Sequence, residues 1–428
     1  MEGSLAYGAI MRIILLAIFL LYAEISVGAP LIYWCATNLE EIELAKRLVK
    51  EWNHSHSETP IKLQPVPAGA SSEEVLLAAI VAKTNPDIYS NMLPAMLNKF
   101  VKADSLLRLD GLKNFAKETE ARIGATILKD YRSPDGHYHQ LPWKLNPVML
   151  VYNSDLFQKL KIKPPRTYGE FWTAAKKLTA DTDGDGRIDR WAMSPSTTVL
   201  WWQRLYDFLP FYMAATNGRS LLNQGRADFN NVSGIAVMDF FQRGFGRGYF
   251  PISGTVSNLF VQQKVGMTIV GPWALKMFER SMPQKFNFKT IPIPVPDGHS
   301  GEAYTYGDPK SFVVFKNTQH PEAAWEFVKF MTSKRADKLL LDITGQIPVR
   351  KELINDSYYK EIFLRRKDLI PFASQVPFTK PGDNSEHIVE ILDFLGQQYE
   401  AAAVYGTIPA IKAIENAANH VEHIYRNW

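Results

Sequence analysis

A single cysteine in 428 residues, Cys35, excludes an intramolecular disulfide. Tyr33-Trp34 precede it where a lipid-attachment cysteine follows small residues, so it argues against a lipid anchor and reads as a small buried residue on the first strand. The chain has no G-x-S-x-G, no H-E-x-x-H and no phosphate-cradling P-loop, which removes the best-marked routes to hydrolase and nucleotide chemistry. It has no basic cluster interleaved with aromatics, and a net charge of only +4, so nucleic acid is not an expected partner. Repeats and low-complexity tracts are missing, and no apolar run after the first is long enough to cross a bilayer. His137 and His139 stand in a loop before a strand and read as surface residues. The two carboxylates of a glycoside hydrolase can come from anywhere in a chain. A secreted glycoside-active enzyme therefore stays open, although the reading without a catalytic cofactor is that the chain is not an enzyme.

What is present begins with Arg12, the uninterrupted apolar run Ile13–Ala23 and the small residues Ser26-Val27-Gly28-Ala29. A basic start, an apolar middle and a small-residue end make residues 1–29 a secretory signal peptide. Eleven apolar residues are too few to span a bilayer comfortably. Pro30 disfavours a cut directly before it, so cleavage after Gly28 is preferred to Ala29. Losing Arg12, Glu2 and Glu24 raises the net charge by one. The expectation is a soluble, secreted, periplasmic protein.

At 46% hydrophobic and 21% charged residues the chain is globular, and its length exceeds one ordinary core, so two lobes are expected. The pattern is α/β. Leu31–Cys35 reads as a strand, Thr37–Glu40 as a capping box opening a helix, and Ile61–Val66 as the next strand. Ser71–Glu74 caps a second helix, and Asn85-Pro86-Asp87 leads into strand Ile88–Ser90. Parallel pairing with crossover helices follows from this order. The pattern restarts after Trp143, with strand Val148–Tyr152 and a helix capped at Thr167. Helices over Trp201–Tyr212 and Val232–Gly244 precede strands at Val265–Val270, Phe288–Ile293 and Ser311–Phe315. A largely helical tail ends in Pro409–Tyr425.

The stretch Val265–Trp273, VGMTIVGPW, says most about function. Its apolar run suits a strand buried on both faces, ended by Gly271-Pro272, with Pro272 read as the first helical residue. Trp273 then stands at the carboxyl end of a buried strand, where ligands sit in α/β sheets. An indole face suits a sugar ring, and a core tryptophan capping a helix is the plainer alternative. GPW after such a strand resembles the signature of the maltose-binding-like extracellular solute-binding proteins of sugar ABC importers. Pro86-Asp87-Ile88, Leu141-Pro142-Trp143, Val148–Asn153 with Asp155-Leu156-Phe157, Pro164–Phe171 and Gly345–Arg350 recur in that family in the same order.

The resemblance implies a two-lobed periplasmic binding protein fold with a hinge and three inter-lobe crossovers, near Lys144–Pro147, Pro296–Tyr306 and Gly345–Arg350. Lobe one would comprise 30–146 and 299–345, and lobe two 147–298 and the helical part 346–428. The ligand, a sugar or oligosaccharide, would lie in the cleft. The partners implied are an ABC permease with its ATPase, the receptor itself acting as a monomer. A non-sugar solute such as a glycerol phosphodiester is the alternative on the same fold; it needs convergent cations, for which Lys144 and Arg350 are candidates.

Ten tryptophans and 18 tyrosines supply faces for sugar rings. Ranked by position at strand ends and crossovers, the ligand-binding candidates are Trp273, Asn91, Trp143, Asn38 and Thr37, then Trp202, Trp201, Asn146, Tyr306, Asp308 and Arg350. Thr37 and Asn38 also suit helix capping. Trp201 and Trp202 are adjacent and cannot share a helix face, so one belongs to the core and the other to the cleft. A separate motif, Asp181-Thr-Asp183-Gly-Asp185-Gly-Arg187-Ile-Asp189, matches a calcium loop. Its twelfth position is Ala192 rather than a bidentate glutamate, so any Ca²⁺ held there would be weakly bound and structural.

Overall fold

The computed structural model describes residues 29–426, apart from Ala70 and 253–255. The signal-peptide reading therefore lies outside the described residues, save for Ala29. The chain then forms β1 (Leu31–Cys35), α1 (Leu39–Ser55), β2 (Ile61–Pro65), α2 (Ser72–Val81) and β3 (Ile88–Met92). β1 pairs in parallel with both β2 and β3, as strands joined by helical crossovers do. Cys35 is buried on β1. Asn38, not Thr37, caps α1. Its side chain accepts from the Glu41 N–H, and its amide donates to the Glu41 carboxylate at 3.0 Å. Ser71 caps α2 as its spacing predicts.

β4 (Leu141–Lys144) ends at the first crossing. Beyond it lie β5 (Met149–Asn153), α3 (Tyr168–Leu178), β6 (Trp191–Met193), α4 (Phe208–Ala215), α5 (Val232–Gly246), β7 (Val265–Val270), α6 (Trp273–Ser281) and β8 (Phe288–Ile291). These strands form a four-stranded sheet in the order β8-β5-β7-β6. β7 is buried at every position, Thr268 included, as its largely apolar run requires. The expected helix Trp201–Tyr212 is divided into a 3-10 turn, Trp201–Leu205, and α4. Asp207 leaves helical geometry between them and accepts the Phe208 N–H at 2.6 Å. Pro272 is the cap of α6 rather than its first residue.

β9 (Lys310–Val314) returns to the first sheet, antiparallel to β3 and β4, completing the order β2-β1-β3-β9-β4. After α7 (Pro321–Met331) and a π-helical turn, Leu340–Thr344, the chain crosses a third time into a helical tail that includes α8 (Ile388–Tyr399) and α9 (Ala410–Arg426). Two main sheets, one in each lobe, with two further two-stranded sheets and three crossings, are the result.

The crossings are bonded to one another at Asn146. Its N–H donates to the Gly307 carbonyl of the second crossing, and its side-chain amide donates to Gln346 Oε1 at 3.0 Å in the third. Its side-chain oxygen accepts the Ile347 N–H at 2.9 Å. A buried ion cluster stands beside this junction. Asp337 receives Arg122 at 3.1 Å and Arg350 at 2.7 Å, and Arg122 also donates to the Pro142 and Trp143 carbonyls. Asp337→Ala would leave two buried guanidinium groups without their counter-charge. Urea unfolding is expected to show a loss of about 3–5 kcal/mol.

Candidate functional site

A cleft of about 910 Å³ lies between the lobes, lined from both, within the size range of small-molecule sites. Its most prominent aromatic is Trp273, half-buried at the start of α6. A Cβ on Gly271 would come within 1.9 Å of the Trp273 ring, so only glycine lets the indole fold back over the strand end. Tyr206 meets that indole edge-on at 5.8 Å, and Trp202 meets Tyr206 edge-on at 6.4 Å. Ile269, Val270 and Met277 add apolar surface.

The polar floor is built on Glu41. Its carboxylate is ion-paired to buried Lys144 and accepts from Gln346 at 2.7 Å, Asn91 at 2.9 Å and Asn38 at 3.0 Å. Burial alone pushes the Glu41 pKa up, but Lys144 and the hydrogen bonds from Gln346 and Asn91 outweigh it and hold the group at about 2. Elsewhere in the cleft Lys310 pairs with Asp308 at 2.8 Å, and Arg280 of lobe two pairs with Glu40 of lobe one. Asp207 is bound to Arg204 at 2.8 Å; burial pushes it up to about 6 although the guanidinium opposes the shift.

The structure brings Trp273, Asn91, Asn38, Thr37, Trp202 and Asp308 together around the cleft. Five other candidates lie elsewhere. Trp143 is 2% exposed, its ring 4.9 Å from Phe312 in the core of lobe one. Asn146 is fully buried and its side chain is used up on Gln346 and Ile347. Trp201 is buried beside Ala95, Leu205 and Leu392. Tyr306 is 1% exposed and backs the cleft wall through Tyr206, 6.0 Å away. Arg350 is tied to Asp337 and the Thr332 carbonyl. Apart from Trp201, these residues stand at or beside the crossings, and the structure places them in the hinge and core rather than on the cleft surface.

Sequence reasoning missed Glu41, Glu73, Lys310, Tyr206, Arg280 and Gln346, all of which line the cleft. Glu41 had a signal: it stands three residues after Asn38, the true cap, and reading the box one residue early hid it. Of the metal motif, Asp181, Asp183 and Asp189 each offer an oxygen within 4.8 Å of the others. Asp185, exposed, accepts the Arg187 N–H at 2.8 Å; Arg187, at the seventh position, would ligate through its backbone carbonyl rather than its side chain. Asp181 accepts the Gly184 and Gly186 N–H groups, which shapes the turn.

The Glu41 network sets a pH dependence. A carboxylate whose folded pKa lies near 2, against 4.5 as the ordinary value, contributes its full stability above pH 4.5 and loses it as pH falls toward 2. Urea midpoints are expected to drop across that interval, and Glu41→Gln, already less stable at pH 7, is expected to flatten that part of the drop.

Comparison with known proteins follows the same lines. A binding protein of Brucella abortus is 27% identical over 313 residues, covering 71% of each chain. The sn-glycerol-3-phosphate-binding periplasmic protein of Brucella melitensis is 24% identical over 411 residues, covering 90% of this chain and 91% of that one. The cyclic alpha-maltosyl-1,6-maltose binding protein of Arthrobacter globiformis has the same fold, with a TM-score of 0.77 at 19% identity, covering 94% of this chain and all of that one. Among the described residues no helix is long and apolar enough to cross a membrane. A profile of the bacterial extracellular solute-binding proteins matches residues 36–338, and this chain, with its two-lobed periplasmic binding protein fold, belongs to that family.

Proposed function

We propose that this protein is a periplasmic receptor for a sugar or oligosaccharide, which it holds in the inter-lobe cleft and delivers to an ABC permease and its ATPase. The single observation that carries this reading is the half-buried Trp273 indole facing a cleft whose opposite wall carries carboxylates and amides. Aromatic faces match the C–H faces of pyranose rings, and carboxylate and amide groups match their hydroxyls. Lobe one is taken as 30–146 with 299–345 and lobe two as 147–298 with 346–428, working as a monomer. The cleft cations Lys144, Lys310 and Arg280 each already hold a carboxylate partner. A phosphodiester, as the glycerol-3-phosphate relative suggests, would have to displace one of them, so the sugar reading is preferred over an anionic solute. Turnover has no support beyond the presence of carboxylates.

Calorimetry of the mature protein against a carbohydrate panel tests the assignment. Trp273→Ala is expected to keep the fold and lose about 2 kcal/mol or more of sugar affinity, as removal of a buried anchor does. Unchanged affinity would return Trp273 to the core.

The Asp181–Asp189 loop is taken as a weak Ca²⁺ site through Asp181, Asp183 and Asp189, serving the stability of lobe two rather than catalysis. An ion bound only by the folded state raises the melting temperature. Millimolar Ca²⁺ is expected to raise it, a chelator to reverse the rise, and Asp183→Asn to abolish it.

A further inference from the structure

Charge pairing across the cleft leaves one carboxylate over. Glu41 is matched by Lys144, Glu40 by Arg280 and Asp207 by Arg204. Lys310 faces two carboxylates, Asp308 at 2.8 Å and Glu73, and both act on its charge. One ammonium between two carboxylates leaves a net negative charge at that end of the cleft.

Glu73 is the member with no side-chain partner of its own; its carboxylate accepts from its own backbone N–H. It lines the cleft, is only 9% exposed, and its carboxylate makes no hydrogen bond or ion pair to another side chain among the described residues. Its place in the first turn of α2 follows from the cap: Ser71 takes the Glu74 N–H, and Glu73 turns inward. Burial pushes the Glu73 pKa up while Lys310 and its own backbone N–H oppose the shift, so a cation reaching it through the cleft would favour its charged form. The same end carries Tyr206, whose neighbour Trp273 offers an aromatic face to a ring bearing the arriving group.

We infer that the ligand carries a positive charge, as the ammonium of an amino sugar does, and that Glu73 is the residue that receives it. This rests on the carbohydrate reading above and narrows it to a substrate class. The ammonium donates to the Glu73 carboxylate, the charge balance of the Glu73–Lys310–Asp308 group is restored, and the sugar ring lies against the aromatic wall. A neutral sugar fills the same cleft but leaves that balance uncorrected.

Calorimetry with paired oligosaccharides, identical except for a free amine or its N-acetyl form, tests this on the mature protein. The amine form is expected to bind about ten-fold tighter or more, with the advantage shrinking as salt is raised. Glu73→Gln is expected to remove the preference while leaving the N-acetyl form within about two-fold of wild type and the melting temperature close to wild type. Glu73→Asp is expected to retain part of it. Neutral and amine forms binding equally, or a preference that survives Glu73→Gln, would overturn the inference and leave the carbohydrate reading intact. Binding of no saccharide of either kind would overturn that reading and the inference with it.

Discussion

The buried Glu41–Lys144 pair is the interaction on which the architecture turns. Removing two charges from water is costly, and Coulomb attraction offsets the cost only when further hydrogen bonds satisfy both groups. Here Gln346, Asn91 and Asn38 complete the carboxylate. Each comes from a different part of the chain: the turn into α1, the end of β3 and the third crossing. Lys144 is the last residue of β4, where the chain leaves lobe one for the first time. One carboxylate therefore fixes the floor of the cleft and the start of the hinge together. Asn146 extends the same network to Gly307 and Ile347, so the three crossings move, or stay, as a unit.

That arrangement places a rigid polar floor opposite an aromatic wall. The floor belongs to lobe one and, through Gln346, to the third crossing, and the wall, Trp273, Tyr206 and Trp202, to lobe two. A ligand between them touches both, so it can favour the closed arrangement by whatever extra affinity the closed cleft offers. The Glu40–Arg280 pair already joins the lobes at the cleft. Exposed pairs of this kind contribute little by themselves; the hinge network and the ligand carry the balance.

Much of the fold was legible in the residues, because caps and apolar periodicity act locally. Ser71 and Thr167 cap their helices as spacing alone suggests, and the mostly apolar Val265–Val270 is a strand buried on both faces. The cleft lining was legible mainly where a strand or crossing ends there, as at Trp273, Asn91, Asn38 and Asp308. Elsewhere the packing around each side chain decided the matter. Trp143 and Lys144 are neighbours on β4; the tryptophan packs on Phe312, and the lysine, its ammonium 4.4 Å over the Trp143 ring, reaches Glu41. Which face meets the cleft depends on β9 inserting between β3 and β4, a pairing of residues far apart in the chain. Glu73 and Lys310 were invisible for the same reason: their charges act on one another only once that sheet is assembled.

The most direct test of the account is a crystal structure of the mature protein with a bound oligosaccharide. A sugar ring lying within about 4 Å of the Trp273 indole, with its polar groups reaching the carboxylate and amide floor of lobe one, is the result expected. A saccharide bound outside the inter-lobe space, or one inside it with the indole turned into lobe two and untouched, would contradict the account.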